Sequence, residues 1–275
     1  MSKLLTGPFA VLMTPFVGDK VDEQAFIAQI KMANDSGISG FVTNGSTAEY
    51  VHLSLEEQMR ITEITAKEKA PNKKLIVSAC TSNLADTVKL CRHAGTVHAD
   101  AVLVCPPYYF KYPESEREAY YKSVADHSPV PVLLYSVPFF TQEIELDLVL
   151  RLFEHPNIIG IKDSSANMKR LMHMAQYTDG KDISVMTGTD DILISALVGG
   201  CAGSLTDREI DMLPMGAKVI TLEQGIRFLT DYLQGDTYYK TTRPGQNLDR
   251  TRTQLKMVAD MEQKWDVLQE IVKNC

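Results

Sequence analysis

The chain has 275 residues, of which 44% are hydrophobic and 23% are charged, and its formal net charge is −7. This composition is that of an ordinary globular protein long enough for one large α/β domain. No basic stripe and no apolar run of about 18–20 residues occurs, so we expect neither nucleic-acid binding nor a membrane span. Five cysteines without a CxxC pair, and an amino-terminal segment that reads as a strand rather than a signal peptide, predict a reduced, cytoplasmic protein.

Short apolar segments alternate with longer stretches of helical period along most of the chain. Strands are predicted to begin at Phe9, Gly40, Leu75, Ala101, Val130, Asn157, Ile183 and Cys201. Helices are predicted from Asp22, from Ser54, from Asn83, near Glu116, near Leu146, near Met168, over residues 191–199 and from about Glu209. Glu57, three residues after Ser54, completes a capping-box pattern. The strands are apolar on both faces, as buried parallel strands are.

About eight such units in roughly 220 residues predict an α/β fold, a closed (β/α)₈ TIM barrel. The alternative, an open doubly wound sheet, would favour a glycine-rich phosphate turn after the first strand. The sequence there is TPFVGDK, and no GxGxxG or Walker motif occurs in the chain. After Leu222 the alternation ends, and helical stretches are predicted around Glu223–Leu233 and Thr251–Lys273. We therefore divide the chain into a barrel catalytic domain, 1–221, and a C-terminal helical extension, 222–275, packed on the barrel; a last helix with an extended tail is the alternative.

Polar side chains gather where the predicted strands end. They are Thr14, Asn44–Thr47, Thr81–Ser82, Tyr108–Tyr109, Tyr135, Lys162, Gly188–Asp190 and Ser204. The amino-terminal ends of the predicted strands carry no comparable group of polar residues. Because active sites of (β/α)₈ barrels lie at the carboxyl ends of the strands, this asymmetry predicts an enzyme.

Lys162 is the sharpest candidate. It follows Ile158-Ile159-Gly160-Ile161, and period two places it on the same side as Gly160, whose missing side chain is expected to leave room. A desolvated lysine has a lowered pKa and becomes a nucleophilic amine. A strand-end lysine that merely reaches solvent is the simpler interpretation, but polar residues on neighbouring strand ends favour the nucleophile.

Other residues near the predicted strand ends also bear on the candidate site. Tyr135 is either a proton relay beside the lysine or a core tyrosine. The turn Gly45-Ser46-Thr47 offers hydroxyls and backbone N–H groups for a carboxylate, although such turns are common. Asp163 should point to the other face of its strand and be structural. The six histidines show no HExxH or HxH spacing, so we predict no metal site and no cofactor.

Three motifs in order resemble the dihydrodipicolinate synthase/N-acetylneuraminate lyase family. They are GSTAE at 45–49, YSVP at 135–138 and GIKDSS at 160–165. The resemblance covers residues 7–205 and implies a (β/α)₈ barrel with a C-terminal helical extension, usually a homotetramer. It implies a pyruvate Schiff base on Lys162, Tyr135 as proton shuttle, and Ser46 and Thr47 on the substrate carboxylate.

The same resemblance implies further substrate-binding residues. Tyr109 would reach into a neighbouring subunit's site. Gly188, Asp190 and Ser204 would contact the aldehyde-derived end, and Ser164 would tune specificity.

The departures from the family pattern concern substrate choice. Ala48 replaces the usual glycine of GxTGE, and Ser136 replaces the usual asparagine. Phe140, next to Phe139, stands where dihydrodipicolinate-forming members carry an arginine, and it cannot bind a second carboxylate. The tail after Ser204 matches the family poorly and lacks its asparagine–proline stretch. The two phenylalanines therefore predict an aldehyde less charged than aspartate semialdehyde, with an apolar aldehyde among the candidates.

The favoured hypothesis is a class I aldolase, a carbon–carbon lyase that cleaves a 4-hydroxy-2-oxo acid, such as a 2-oxo-3-deoxy sugar acid, to pyruvate and an aldehyde. The alternative is 4-hydroxy-tetrahydrodipicolinate synthase or a related hydro-lyase with the same imine chemistry. A third hypothesis is a non-catalytic barrel that binds an oxo acid. The expected partners are the oxo acid, the aldehyde and further copies of the chain in a dimer or tetramer, with no nucleic acid and no membrane.

Overall fold

The computed structural model describes residues 5–189, 192–201 and 207–273, without the side chains of 207–216, 219–220 and 271–273. The strands are β1 Phe9–Val11, β2 Phe16–Val17, β3 Lys20–Val21, β4 Gly40–Thr43, β5 Lys74–Ser78, β6 Ala101–Val104, β7 Val132–Ser136, β8 Ile158–Asp163 and β9 Ser184–Thr187. The helices are α1 Glu23–Asn34, α2 Leu55–Glu68, α3 Leu84–Thr96, α4 Glu114–His127, α5 Leu146–Leu152, α6 Met168–Tyr177, α7 Leu193–Val198, α8 Asp207–Leu233, α9 Gln246–Gln263 and α10 Trp265–Lys273.

Seven strands form one parallel sheet in the order β1-β4-β5-β6-β7-β8-β9, and β2 pairs with β3 in a separate hairpin. The strand order follows the chain without the reversal that a doubly wound sheet requires. At the far end, Ser184 Oγ donates a hydrogen bond of 2.7 Å to the carbonyl of Leu5, just before β1. The predicted (β/α)₈ class is confirmed. The eighth predicted strand, from Cys201, runs into residues outside the described ranges.

Helix starts agree with the capping signals in the sequence. Asp22, Ser54, Asn83 and Asn167 are N-caps whose side chains accept backbone N–H groups, and Ser54 with Glu57 forms the predicted capping box. The carboxy-terminal boundaries differ from the prediction. Residues 207–233 form a single helix, and the last predicted helix is two, with α9 beginning after Gly245 in the left-handed conformation (φ 73°).

Successive side chains of a strand point to opposite faces of the sheet, and this alternation separates two apolar layers. Phe41 packs outward with Phe26 and Ile30 of α1, whereas its neighbour Val42 faces inward. The inward set, which we call the inner cluster, comprises Leu5, Val42, Tyr50, Ile76, Cys80, Ala101, Leu103, Cys105, Leu133, Tyr135 and Val137. Because this layer contains Tyr135, the same packing that forms the core fixes part of the candidate site.

The described residues fall into two compact units, one within Met1–Ile192 and Val198–Gly203, the other within Leu193–Leu197 and Ser204–Cys275. In the second unit, Asp231 near the end of α8 accepts hydrogen bonds from the backbone N–H groups of Tyr238 and Tyr239 and from Asn247 Nδ2, at 2.7, 2.9 and 2.8 Å. These bonds fix the connection from α8 to α9. Helix α8 continues through residues 221 and 222, the position of the domain boundary predicted from the sequence.

None of the helices within the described ranges has both the length and the hydropathy needed to cross a bilayer.

Candidate active site

Lys162 and Tyr135 face each other at the carboxyl ends of two adjacent strands. They are paired in the register of β7 with β8, and Lys162 Nζ lies 4.9 Å from the centroid of the Tyr135 ring. Lys162 is half-buried and Tyr135 is 5% exposed. The two side chains are therefore in contact, with the amine against the aromatic face.

The space beside Lys162 comes from a different glycine than the sequence predicted. A Cβ on Gly160 would lie 2.1 Å from the carbonyl oxygen of Ser184, so that glycine permits close approach of β9 rather than leaving room for the lysine. At Gly188, a Cβ would lie 2.0 Å from Ser164 Oγ and 2.9 Å from Lys162 Cε. Gly188, predicted as a substrate-binding residue, thus borders the lysine stem directly.

The hydroxyl of Tyr135 lies next to Ser46. The two oxygens are 3.4 Å apart, although the residues are far apart in the chain. Burial raises the pKa of Tyr135, while hydrogen bonding to Ser46 and to Ser164 lowers it and the sulfur of Cys80 raises it. At neutral pH the phenol is therefore protonated. Ser164 itself is 6% exposed, and its backbone N–H donates to Ser136 O at 2.8 Å.

The predicted carboxylate turn is a short 3₁₀ helix, Ser46–Ala48, that follows Gly45. The N–H groups of Ala48 and Glu49 close the turn onto Gly45 O and Ser46 O, both at 3.0 Å. Those of Ser46 and Thr47 are not used in this way, because the first N–H groups of a helix have no partner within it. Thr47 is exposed. The turn thus presents the hydroxyls and N–H groups that the sequence predicted.

Ala48 fits this turn without strain. The left-handed residue is the next one, Glu49, with a φ of 55°, so no glycine is needed at position 48. Ala48 is buried, and its carbonyl accepts a hydrogen bond of 2.9 Å from Thr14 Oγ1. Thr14, from the end of the first predicted strand, therefore supports the turn.

Asn44 holds the start of this turn, a role that sequence reasoning missed. It is fully buried with a φ of 56°, and its Nδ2 donates to Gln58 O at 3.1 Å and to Thr62 Oγ1 at 3.2 Å, both on α2. A non-glycine residue in the left-handed region is uncommon, and asparagine is enriched there. The one available signal was the Asn-Gly pair at a strand end, which marks a backbone with positive φ.

Asp163 is structural, as predicted. Its side chain is fully buried and pairs with Arg170 of α6, with Nε and Oδ2 2.7 Å apart. It also accepts hydrogen bonds from the backbone N–H and the hydroxyl of Ser165. Arg170 Nη2 in turn donates to Ile144 O at 2.5 Å. Adjacent residues of β8 thus place Lys162 beside Tyr135 on one side and anchor helix α6 through Asp163 on the other.

Two loops beyond the strand ends carry exposed aromatic residues. Tyr109, in the left-handed region with a φ of 82°, is 90% exposed and packs edge-to-face on Phe110 at 4.8 Å between centroids. Phe139 and Phe140 are 77% and 70% exposed on the loop after β7. Gln142 ties the two loops together through the backbone of Tyr112, accepting from its N–H at 2.5 Å and donating to its carbonyl at 3.3 Å.

Two predicted substrate-binding residues, Asp190 and Ser204, lie outside the described residues. Within the described ranges, no three His, Cys, Asp or Glu side chains come together as metal ligands would. The described arrangement therefore consists of an amine, a phenol and hydroxyls, with Gly188 packed closely against Lys162 and Ser164. These groups suit addition to a carbonyl and proton transfer.

The model of the dihydrodipicolinate synthetase family matches residues 4–216. The 4-hydroxy-tetrahydrodipicolinate synthase of Phenylobacterium zucineum is 31% identical over 204 residues, which cover 74% of this chain and 69% of that protein.

Solved structures of the same family and fold are also similar to this chain. YagE, a prophage protein of E. coli K12 from the dihydrodipicolinic acid synthase family in complex with pyruvate, is 26% identical, with a TM-score of 0.70 over 98% of this chain and 86% of that one. The 2-keto 3-deoxygluconate aldolase from Picrophilus torridus, 22% identical, has a TM-score of 0.73 over 91% of this chain and 93% of its own, which shows the shared fold. The family match covers more than half of the sequence, and this chain belongs to the dihydrodipicolinate synthetase family.

Proposed function

We propose that Lys162 forms a Schiff base with a 2-oxo acid such as pyruvate. Family membership makes the chain a carbon–carbon lyase of the class I aldolase type; the assignment of the steps to residues is the proposal. The observation that carries it is the contact of Lys162 with Tyr135, whose hydroxyl in turn lies 3.4 Å from Ser46.

Imine formation begins with the neutral amine of Lys162. It attacks the ketone carbon of the oxo acid, and the carbinolamine loses water to give the iminium. The hydroxyl of Ser46 and the N–H groups of the turn hold the substrate carboxylate, with Thr47 beside them. Positioning of this kind supplies a large part of the barrier reduction.

Cleavage uses the iminium as an electron sink. The C3–C4 electrons move into the imine, the C4 hydroxyl loses its proton, and the aldehyde departs from the resulting enamine. Tyr135 takes this proton as its own phenolic proton passes to Ser46, whose proton in turn goes to C3 of the enamine, so one proton moves from the C4 oxygen to C3. In the reverse direction the phenol donates its proton to the new alkoxide. Because its pKa is raised, the phenol is protonated at neutral pH and is able to donate.

The aldehyde half is proposed to be uncharged beyond its hydroxyl groups, as in a 2-oxo-3-deoxy sugar acid. Phe139 and Phe140 follow the Tyr135 strand and supply no cation for a second carboxylate. Ser164 and Gly188, next to Lys162, are proposed to contact the aldehyde-derived part, together with Asp190 and Ser204.

A second candidate is 4-hydroxy-tetrahydrodipicolinate synthase or a related hydro-lyase. The curated relative described above carries that name, and the imine step on Lys162 would be the same. Phe140 is the observation that weighs against it.

Assembly and location complete the proposal. The 90% exposure of Tyr109 supports a role across a subunit interface, in a homodimer or homotetramer. A cytoplasmic location is supported by buried cysteines that form no disulfide in the described part of the chain.

Borohydride reduction in the presence of pyruvate tests the imine. We expect one added 1-carboxyethyl group, the product of reducing the pyruvate imine, mapped by mass spectrometry to Lys162 and lost in Lys162→Ala. Lys181 is a matched control, because its Nζ also lies over a tyrosine ring, 3.6 Å from the centroid of Tyr177. Lys181→Ala should trap normally. An adduct on another lysine, or no adduct, would refute the proposal.

A substrate panel separates the candidate reactions. Pyruvate release from 2-oxo-3-deoxy sugar acids supports the lyase, and condensation of pyruvate with aspartate semialdehyde supports the synthase. Phe140→Arg should improve the second reaction relative to the first, whereas Phe139→Arg serves as the control for added charge. A Lys162 adduct without turnover of any substrate would indicate the non-catalytic binder.

A further inference from the structure

Cys80 and Cys105 follow two adjacent parallel strands, β5 and β6. The register pairs Ser78 with Leu103, and the bond from Ala79 N to Leu103 O (2.8 Å) continues it. Two residues further on, Cys80 therefore lies beside Cys105, and the N–H of Cys105 donates to Cys80 Sγ at 3.2 Å. Neighbouring strands are about 4.7–4.9 Å apart, which lies within the Cα separation of about 4.4–6.8 Å that a disulfide spans.

Both thiols point to the same side of the sheet. They belong to the inner cluster, each is 1% exposed, and Tyr135 is a member of the same cluster. The thiols take no part in the proposed carbonyl chemistry. The register and the shared face therefore place the two sulfur atoms side by side.

The two thiols differ in acidity. Cys80 Sγ accepts hydrogen bonds from the Cys105 N–H and from Ser78 Oγ, both at 3.2 Å. Burial alone would raise the pKa of Cys80, but the thiol of Cys105, these donors and the charge of Lys162 bring it below the usual value. The Cys80 sulfur, and burial after it, raise the pKa of Cys105 well above the usual value. Of the two thiols, Cys80 is therefore the more readily deprotonated, and its Sγ also donates to Leu103 O at 3.6 Å. The thiolate is the form that reacts with an oxidant.

We propose that Cys80 and Cys105 are a reversible dithiol–disulfide pair that reacts with hydroperoxides. The Cys80 thiolate attacks the peroxide, and the O–O bond breaks to give a sulfenic acid and, with hydrogen peroxide, one water. The Cys105 sulfur then attacks the sulfenic sulfur, the S–S bond forms, and a second water leaves. Overall, two thiols and one hydrogen peroxide give one disulfide and two waters, so both sulfur atoms are oxidised and the peroxide is reduced.

The spacing makes this disulfide easy to reduce. Adjacent strands hold the Cα atoms closer than the usual disulfide separation of about 5.5–6 Å, and departures from ideal geometry favour reduction. In the disulfide Cys80 can no longer ionise, and a charge on its sulfur is one of the causes that raise the pKa of Tyr135. Oxidation therefore changes the surroundings of the proposed proton relay and is reversed by a dithiol reductant.

The test treats the folded full-length protein with hydrogen peroxide, blocks remaining thiols in denaturant and measures intact mass and peptides. We expect loss of two hydrogen atoms, a linked Cys80–Cys105 peptide, and recovery of both thiols with dithiothreitol. Cys91 is the matched control because it is another fully buried thiol, with a pKa that burial raises to about 12. Cys91→Ser should still form the link.

Cys80→Ser and Cys105→Ser should each lose the link while keeping a folded protein by thermal unfolding. If one variant fails to fold, the other decides. Over-oxidation of Cys80 to a sulfinic acid without any link, or a protein whose thiols all survive peroxide, would overturn the proposal. The result does not depend on imine trapping at Lys162, so failure of the proposed aldolase chemistry is separately visible.

Discussion

Ser46 and Tyr135 lie 89 positions apart in the chain, yet their hydroxyl oxygens are 3.4 Å apart at the carboxyl edge of the sheet. A hydrogen bond to the phenolate lowers the pKa of Tyr135, against the burial that raises it. This contact gives the site a measurable pH dependence.

Replacing Ser46 with alanine should move the titration of Tyr135 to higher pH. The hydrogen bond from Ser46 stabilises the phenolate, whereas burial destabilises it. Without the bond the effect of burial is less compensated, so the pKa of Tyr135 rises further above the ordinary value of about 10. Difference absorbance of tyrosinate, read as the alkaline change lost in Tyr135→Phe, measures the midpoint. Ser36→Ala, at an exposed hydroxyl bonded to Ala33 O, is the control. A midpoint that falls in Ser46→Ala would contradict the assignment.

Tyr135→Phe should separate imine formation from turnover. The ring that contacts Lys162 remains, so borohydride trapping with pyruvate should persist, whereas loss of the hydroxyl should lower kcat by about 10²–10⁴-fold. Tyr177→Phe, at the other tyrosine ring that lies under a lysine, should leave both unchanged. Normal kcat in Tyr135→Phe would exclude the phenol from proton transfer.

Asn44→Ala should raise the KM for the oxo acid by one to two orders of magnitude, about what a 1 Å misplacement of a binding group costs. It removes both bonds to α2 and places alanine in the left-handed region, at about 1–2 kcal/mol. Asn247→Ala is the control, since Asn247 is an equally buried amide that binds Asp231 and Asp236 in the second unit. Both should lower Tm, but only Asn44→Ala should change KM; equal KM values would make Asn44 merely structural.

The barrel could be predicted because its signals are local. Apolar strands, capping residues such as Ser54 with Glu57, and polar strand ends each occupy a few consecutive residues, and the parallel order follows from chain alternation. Lys162, Tyr135 and Ser46 could be placed near one another because every carboxyl strand end meets the same edge. Contacts within that edge depend on side-chain reach across strands, which spacing does not encode. Hence Gly160, rather than Gly188, was predicted to make room for the Lys162 side chain, and the role of the Asn44 amide was missed.

Gly188→Ala tests whether the position of Lys162 depends on the missing side chain at Gly188. The added methyl would meet Ser164 Oγ and Lys162 Cε at 2.0 and 2.9 Å, so the lysine stem must shift. We expect borohydride trapping to slow at least tenfold, with a fold that is retained by circular dichroism. Gly37→Ala, where a Cβ has no neighbour within 4 Å, is the control. Trapping at the normal rate in Gly188→Ala would show that Lys162 does not need this space.

Arg170→Ala tests whether Asp163 acts only in the fold. Arg170 and Asp163 are 6% and 0% exposed, and removing one partner of a buried ion pair costs about 3–5 kcal/mol because the other charge stays buried and unpaired. The exposed pair of Arg60 with Glu23, 2.7 Å apart, is the control, and Arg60→Ala should cost less than about 1 kcal/mol.

Urea unfolding measures the two free energies. Lys162 points to the opposite side of β8 from Asp163, so the folded fraction of Arg170→Ala should still trap pyruvate at low temperature. Lost trapping in protein that remains folded would mean that the ion pair also sets the position of the lysine.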